Sequence, residues 1–518
     1  MGRCAKACGI ASAALAILIA IGVYNTLLAE DMQVEAATPD LSIFDDFDFE
    51  KAVDRLGKAV RIRTVSYLPH EVSSPDNFFA LHHLIETSFP LVHSHLKKEV
   101  IGKYSLVYYW EGSEIDLMPY MLMSHLDVVP VENDTLNKWT HEPFAGHVID
   151  GYIYGRGTMD DKNGVFGILE AVEHMLKHGH KPRRSVYLAF GHDEEVTGLD
   201  GMSKIAQALQ KRDVKLLFAM DEGGLISIDS VPGPDRPVAL IGITEKGYVD
   251  VELTVEMDSG HSSMPPRPDT PLGVLSNALI NIEAYEGKPN IEMVAMLWGH
   301  LQMKLPFWIR FILRNLSAFK PLLNYVLSQD PATNALIRTT FAPTMIKGSD
   351  KRNSLPISPT ANINVRIAPG SSVAEVKNII TDAINDPRVK VTLHDEESTE
   401  PSPVSPVICD QFRLIQSSIM EINPDVYVAP FVMIGATDAH HLYGLTDYVY
   451  RFAPFRATKE DLKRFHGLNE RISLDDFRSG IHLYYRIMKN ADEYEAGPRR
   501  EWASQAHAGH SAGGNTEL

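Results

Sequence analysis

The stretch MLMSHLDVVP, residues 121–130, places an imidazole and a carboxylate inside a run that otherwise has the apolar pattern of a buried strand. His125 and Asp127 are two residues apart, so both side chains leave the same face of a strand. Buried polar groups generally hydrogen-bond to one another. Taken alone, the pair is therefore compatible with a hydrogen-bonded core pair or with a metal site.

Short apolar strands alternate with helical stretches around this motif. YSLVYYW, RSVYLAFGHDEE and VKLLFAMDEGG have the pattern of strands, and GVFGILEAVEHMLKHG has the pattern of a helix. This alternation predicts an α/β fold with a mixed, largely parallel sheet. Open α/β sheets build their sites where the strands end, and the polar residues of this chain cluster at those positions.

Composition excludes several classes of protein. The chain has 518 residues, of which 44% are hydrophobic, which predicts more than one domain. The formal charge is −18 and no basic block is present, so nucleic acid is not expected as a partner. Cysteine occurs only at Cys4, Cys8 and Cys409, so any metal must be held by histidine and carboxylate side chains.

The N-terminus has the layout of a signal peptide or a signal anchor. Arg3 and Lys6 precede an apolar run from about Cys8 to Val23. The body of the protein is therefore expected outside the cytoplasm, either secreted or membrane-anchored. Glycosylation sequons at Asn133 and Asn315 fit that location.

Pairs of acidic residues follow three predicted strands or turns, each next to glycine. Each pair alone could cap a helix or lie in a solvated turn. Together, carboxylates converging on one cleft would repel one another and raise one another's pKa. A pair of divalent cations resolves this conflict. The pairs lie in GRGTMDDKNG (Asp160, Asp161), FGHDEEVTG (Glu194, Glu195) and LLFAMDEGG (Asp221, Glu222).

With these motifs the chain resembles the co-catalytic zinc peptidases that include aminoacylase, glutamate carboxypeptidase, carnosinase and carboxypeptidase S. SHLDVVP, GRGTMDDKNG, DEEVTG, MDEGG, SGHSSMPP, NVRIAPG and RFHGLNE follow in family order from about residue 50 to 490. NALIRTTFAPTMIKGSDKRNSLP, ATDAHHLYG and YRFAPF favour the N-fatty-acyl-amino acid synthase/hydrolase branch.

The resemblance implies a zinc-peptidase catalytic domain interrupted by an inserted α+β lid domain, which the family uses for substrate binding and dimer contacts. The expected ranges are 1–30 for the signal peptide or anchor, 45–247 and 366–496 for the catalytic domain, 248–365 for the lid, and 497–518 for a flexible tail.

It also implies roles for individual residues. Two zinc ions would be held by His125, Asp160, Glu195, Asp221 and His466, with Glu222 as the alternative to Asp221. Asp127 would hold the second ring nitrogen of His125. Glu194 would be the general base. Asp161 would shape the turn that carries Asp160, through a cis peptide bond between Asp160 and Asp161.

Three residues of the middle region would bind the substrate. By resemblance, His261 would stabilise the oxyanion, Asn353 would contact the substrate, and Arg366 would pair with a substrate carboxylate. A guanidinium suits that last task because it binds a carboxylate through two parallel hydrogen bonds.

The segment 293–329 is unusually apolar and carries four cationic side chains. Its helices are expected to bury against the lid sheet or a second subunit, or to present an apolar surface to an acyl chain, a membrane or a lipoprotein. The cations are Lys304, Arg310, Arg314 and Lys320.

The sequence thus predicts a two-zinc amidohydrolase whose substrate is a small molecule with a free carboxylate and an apolar acyl group on its nitrogen. A carboxypeptidase acting on short peptides is the alternative. A non-catalytic binding protein on the same fold would lack the base or a ligand, yet Glu194 and the full metal set are present.

Overall fold

The computed structural model describes residues 2–494 with the exception of 73 and 259, so the predicted tail at 497–518 lies outside the described residues. The chain divides into two compact units. The larger unit comprises Gln33–Ile241, Ser405–Val428 and Thr437–Leu518. The smaller unit comprises Met1–Met32, Gly242–Val404 and Ala429–Ala436, and it contains the residues predicted as the lid.

Helices occur throughout both units. In chain order they are α1 Gly2–Leu27, α2 Phe49–Arg61, α3 Pro75–Ser88, α4 Pro90–His95, α5 Lys162–Lys177, α6 Met202–Gln210, α7 Pro271–Glu283, α8 Glu292–Leu301, α9 Phe307–Arg314, α10 Leu316–Leu327, α11 Pro331–Ile337, α12 Val373–Ile384, α13 Asp410–Ile422 and α14 Leu474–Glu493.

The strands are mostly short. In chain order they are β1 Ser66–Leu68, β2 Glu71–Val72, β3 Lys97–Ile101, β4 Ser105–Trp110, β5 Tyr120–His125, β6 His147–Ile149, β7 Tyr152–Tyr154, β8 Val186–Gly191, β9 Ala219–Asp221, β10 Ile226–Ser227, β11 Val238–Glu245, β12 Gly247–Val255, β13 Thr340–Lys347, β14 Thr360–Ile367, β15 Val389–Thr399, β16 Tyr427–Met433, β17 Val449–Arg451, β18 Arg456–Ala457 and β19 Arg471–Ser473.

The main sheet has the strand order β18-β10-β11-β17-β9-β5-β8-β4-β3, with β16 also paired to β11. Its centre, from β17 through β9 and β5 to β8, is parallel, whereas β4 and β3 are antiparallel. This confirms the predicted α/β fold with a mixed sheet. Every residue of β5 is buried, as expected for a strand covered on both faces.

In the smaller unit, a four-stranded antiparallel sheet has the order β13-β14-β12-β15. Burial alternates residue by residue along β14, so its Val and Ile side chains face one side and its polar side chains the other. The apolar face packs against α7 and α12 in a single core. The unit extends beyond residue 365 because β15 pairs with β12.

The smaller unit also contains a group of apolar helices. Helix α1 packs on α9 so closely that a Cβ at Gly22 would lie 2.8 Å from the ring of Phe311. The side-chain amide of Asn315 donates to the carbonyl oxygen of Gly22 at 3.1 Å. Outward-facing apolar side chains remain exposed, including Leu18 at 65% and Trp308 at 63%. No helix among the described residues combines the length and the apolar character needed to cross a membrane.

Candidate active site

Three neighbouring parallel strands of the larger unit bring the acidic motifs together. His125 is the last residue of β5 and Asp221 the last of β9, while Glu194 and Glu195 follow β8 in a short 3-10 helix. Because the order is β9-β5-β8 and the strands are parallel, their carboxyl ends lie at one edge of the sheet. The three acidic motifs therefore meet at the carboxyl edge of the sheet, and the roles of their residues stay predictions.

The carboxylate of Asp160 lies between two imidazoles. Its Oδ1 is 2.8 Å from Nε2 of His125, and its Oδ2 is 3.0 Å from Nε2 of His466. Burial by itself raises the pKa of Asp160, but the hydrogen bonds with these two histidines lower it well below its usual range. The two oxygens of one carboxylate thus face two different potential ligands.

Asp127 orients both the histidine and the acidic turn. It is fully buried, and its Oδ1 lies 3.4 Å from Nδ1 of His125. Its two carboxylate oxygens accept hydrogen bonds from the backbone N–H groups of Glu194 and Glu195, each at 3.2 Å. The Asp127 side chain thereby contacts the imidazole of His125 and the backbone of Glu194 and Glu195, and the backbone carbonyl oxygen of Asp127 lies 3.1 Å from the same Nδ1 of His125.

The acidic side chains are close enough to share cations. Their side chains form three groups of three residues, and within each group the potential ligand atoms lie within 4.8 Å of one another. Burial raises the pKa of Glu195 to about 7, and it raises the pKa values of Glu194 and Glu222 well above their usual range. The groups are His125 with Asp160 and Glu222, His125 with Glu194 and Glu195, and Asp160 with Glu195 and His466.

This donor set fits divalent metal ions. Imidazole nitrogens and carboxylate oxygens are the ligands that zinc prefers where no thiolate is present. Without cations, so many buried carboxylates would strongly disfavour one another's charged forms. Asp160 belongs to two of the groups described above, and it faces His125 with Oδ1 and His466 with Oδ2.

The Asp-Glu pair lies at the end of β9, whose last residue is Asp221. Glu222 belongs to one of the groups described above, and Asp221 is buried beside it. Asp221 as the ligand, with Glu222 as the alternative, stays a prediction.

The turn that carries Asp160 has the expected conformation. The peptide bond between Asp160 and Asp161 is cis. Ser124 donates to the Asp161 side chain at 2.5 Å and to its carbonyl oxygen at 2.9 Å. Burial raises the pKa of Asp161 to about 8. Asp161 therefore anchors the turn to β5, while Asp160 faces the histidines.

Comparison with known proteins agrees with this geometry. Residues 121–490 match the model of peptidase family M20/M25/M40. The chain belongs to this family. Like its other members, it is a metal-dependent enzyme of the peptidase and amidohydrolase type.

Two relatives align over most of their length with this M20 enzyme. It is 39% identical over 479 residues to "Probable carboxypeptidase S-like 2" of Dictyostelium discoideum, covering 91% of this chain and 92% of the relative. It is 41% identical over 455 residues to the N-fatty-acyl-amino acid synthase/hydrolase PM20D1 of Xenopus tropicalis, covering 86% of each.

Solved structures show the same fold. The M20 family metallo-carboxypeptidase Sso-CP2 from Sulfolobus solfataricus superposes with a TM-score of 0.63 at 16% identity, covering 86% of this chain and 99% of that one. Human carnosine dipeptidase 1 gives 0.61 at 14% identity, covering 88% and 100%.

The predicted substrate residues of this M20 enzyme lie in the smaller unit. His261 forms a β-bridge with Ser354, and the backbone N–H of Ser262 donates to the carbonyl oxygen of Asn353 at 3.2 Å, so His261 and Asn353 are neighbours. Arg366 lies in β14 with its guanidinium 4.8 Å from the ring centroid of Tyr248. Their roles towards substrate stay predictions.

Two buried acids near the centre had not been singled out from the sequence. Glu470, in the HGLNE motif, is fully buried beneath the Asp160 turn. Asp438, in the ATDAHH motif, is 3% exposed, and within the described residues neither of its carboxylate oxygens has a hydrogen-bond partner. Both lie in motifs that carried the resemblance, but the sequence gives no sign that their carboxylates are buried.

Proposed function

We propose that the protein is a two-zinc amidohydrolase that cleaves, and in reverse forms, the amide bond of N-fatty-acyl amino acids. One zinc ion would be held by His125, Asp160 and Asp221, with Glu222 as the alternative to Asp221, and the other by Asp160, Glu195 and His466. The observation that carries the chemistry is Asp160, whose two oxygens lie 2.8 and 3.0 Å from two different histidines. A carboxylate placed in this way suits a bridge between two cations.

When bound, the zinc ions would polarise the amide carbonyl and acidify the attacking water. Glu194 lies beside this centre, with its Oε2 3.9 Å from Nε2 of His125. Because burial raises the pKa of Glu194, its carboxylate is a stronger base than an exposed one. Glu194 would take a proton from the water and deliver it to the leaving nitrogen as the C–N bond breaks.

Residues of the smaller unit would bind the substrate. By family resemblance, Arg366 would pair with the free carboxylate of the amino acid, His261 would stabilise the oxyanion, and Asn353 would contact the substrate. A relative at 41% identity is named for N-fatty-acyl amino acids. The exposed apolar side chains of α9 and α10, such as Trp308 and Tyr325, favour an acyl chain as the second half of the substrate.

The test compares two substrates. Purified, zinc-loaded protein is incubated with N-oleoyl-phenylalanine and with a dipeptide ending in phenylalanine, and release of phenylalanine is measured. A faster rate with the oleoyl substrate supports the proposal. Hydrolysis of the dipeptide alone would refute the acyl specificity and leave the amidohydrolase chemistry intact.

A carboxypeptidase acting on short peptides is the second candidate. It is favoured by the relative named carboxypeptidase S-like, at 39% identity over 91% of this chain. Both substrates carry a free α-carboxylate, so Arg366 does not distinguish them, and only the comparison of rates does.

An extracytoplasmic location is part of the same proposal, as are a membrane or lipoprotein surface and a homodimer through the smaller unit. Asn133 is exposed and therefore accessible to glycosylation in that location. Secretion of a tagged chain and a mass shift on removal of N-glycans test the location, co-sedimentation with lipid vesicles tests the membrane or lipoprotein surface, and light scattering tests the homodimer.

A further inference from the structure

The carboxylate of Glu470 is enclosed by donors from the turn that carries Asp160. Its Oε1 accepts hydrogen bonds from the backbone N–H groups of Met159 at 2.8 Å, Gly157 at 2.9 Å and Asp160 at 3.3 Å. Its Oε2 accepts from Nη1 of Arg156 at 2.5 Å. The side chain of Glu470 has no exposure to solvent, so these donors replace water completely.

Two further hydrogen bonds join segment 155–160 to segment 466–470. The N–H of Gly155 donates to the carbonyl oxygen of Glu470 at 2.9 Å, which continues the antiparallel pairing of β7 with β19 beyond Tyr154 and Arg471. The side-chain Nη2 of Arg156 donates to the carbonyl oxygen of Gly467 at 3.2 Å. Segment 155–160 is thus tied to segment 466–470 along its whole length.

These connections matter because the two segments carry facing residues of the metal centre. Asp160 lies at the end of one segment and His466 at the start of the other. His466 has a left-handed backbone, with φ of 54°, and its side chain is 55% exposed, so little other packing holds it. The 3.0 Å separation of His466 Nε2 and Asp160 Oδ2 therefore depends on the ties between the segments.

We propose that Glu470 is a positioning residue, which sets the separation of Asp160 and His466 and thereby the affinity for the cation that these two residues share with Glu195. This inference rests on the proposed two-cation centre. Glu470 contacts neither ligand side chain and acts by fixing the backbone on which they stand. Outer residues that orient metal ligands commonly contribute about 10- to 100-fold to metal affinity.

The experiment measures cation binding directly, without substrate. Metal-free Glu470→Gln and Glu470→Ala proteins are titrated with Co²⁺, and the visible absorption of the bound ion reports its ligand geometry. We expect the alanine variant to bind one equivalent of Co²⁺ about 10- to 100-fold more weakly than the wild type does, with an altered visible absorption spectrum of the bound ion. Glutamine keeps one acceptor oxygen for the backbone N–H groups, so it should restore part of the affinity.

Glu421 provides a matched control in the same unit. Its carboxylate also pairs with an arginine, Arg486, at 2.5 Å, and both side chains are largely buried. Glu421→Gln should lower the unfolding temperature and leave Co²⁺ affinity and spectrum unchanged. If Glu470→Ala does not fold, Arg156→Lys takes its place, because the shorter side chain with a single nitrogen loses the contact to Gly467 and weakens the one to Glu470.

Two results would overturn the inference. One is wild-type affinity and spectrum for both equivalents in the folded alanine variant, or in Arg156→Lys. The other is an equal loss of affinity in Glu421→Gln. Failure of the wild-type protein to hydrolyse N-oleoyl-phenylalanine would count against the proposed substrate and would not affect this titration.

Discussion

Replacing Glu194 by Gln separates proton transfer from metal binding. The substitution keeps the size of the side chain, and the backbone N–H of residue 194 still donates to Asp127 at 3.2 Å. The side chain is 12% exposed and lies 3.9 Å from His125 Nε2, further away than Asp160 at 2.8 Å. The expected change is therefore loss of a base without loss of the surrounding geometry.

The size of the effect follows from the role. General acid–base catalysis by one side chain contributes about 10²- to 10⁴-fold, so kcat should fall by that factor, about 3 to 5.5 kcal/mol in the activation free energy. KM and zinc content should stay close to the wild-type values. The assay is release of phenylalanine from N-oleoyl-phenylalanine, with zinc measured by elemental analysis of the same samples.

Glu195→Gln is the matched control, because Glu195 lies 3.1 Å from His466 and belongs to the predicted ligand set. It should lose zinc as well as activity. The reasoning about Glu194 would be refuted by kcat within tenfold of wild type at full zinc content. Loss of zinc equal to that of Glu195→Gln would instead make Glu194 a ligand.

Three further predictions follow from the same contacts. Asp127→Asn should weaken zinc binding by about 10- to 100-fold, because the carboxylate beside Nδ1 of His125 is lost, as measured by competition with a chelator; unchanged affinity would contradict the orienting role. Gly198→Ala should lower the free energy of unfolding by about 1 to 3 kcal/mol, because a Cβ would lie 2.0 Å from Oδ1 of Asp438 and the backbone φ is +65°. Denaturant unfolding measures this loss. Gly179→Ala is the control, because Gly179 has a φ of +71° but open space around its Cβ position. In the metal-free protein, hydrogen bonds with Asp160 and then Glu195 raise the pKa of His466 to about 10. A histidine pKa that is higher in the folded than in the unfolded state stabilises the fold, and this stabilisation is fully present below the unfolded pKa of about 6.5 and is lost as the pH rises through about 10. The difference in unfolding temperature between the wild type and His466→Gln should therefore shrink as the pH rises from about 6.5 to about 10. A difference that stays constant with pH would refute this prediction.

The position of the site was predictable because its residues follow simple rules of strands. The two-residue spacing of His125 and Asp127 places both on one face, and parallel strands end at one edge. The choice between Asp221 and Glu222 as the ligand was not predictable, because the two carboxylates are adjacent at the end of one strand and both offer suitable oxygen ligands. The burial of Glu470 was equally hidden, since its partners are backbone N–H groups of a distant turn.

The packing of the N-terminal helix also needed the structure. Its apolar run indicates only that it avoids water. Its contact with α9 depends on Gly22, which leaves room for Phe311, and on Asn315, which reaches the carbonyl oxygen of Gly22. Such contacts link residues almost 300 positions apart, and no local pattern specifies them.

The bond between Asp160 and His466 spans 306 residues of chain. At synthesis rates of about 5 to 20 residues per second, a ribosome needs about 15 to 60 s to travel from one to the other. Throughout that interval the nascent polypeptide carries an acidic cluster that lacks its last imidazole. A nascent chain that ends before residue 466 therefore lacks one of the proposed ligands, and the proposed second cation site forms only after most of the chain has been synthesised.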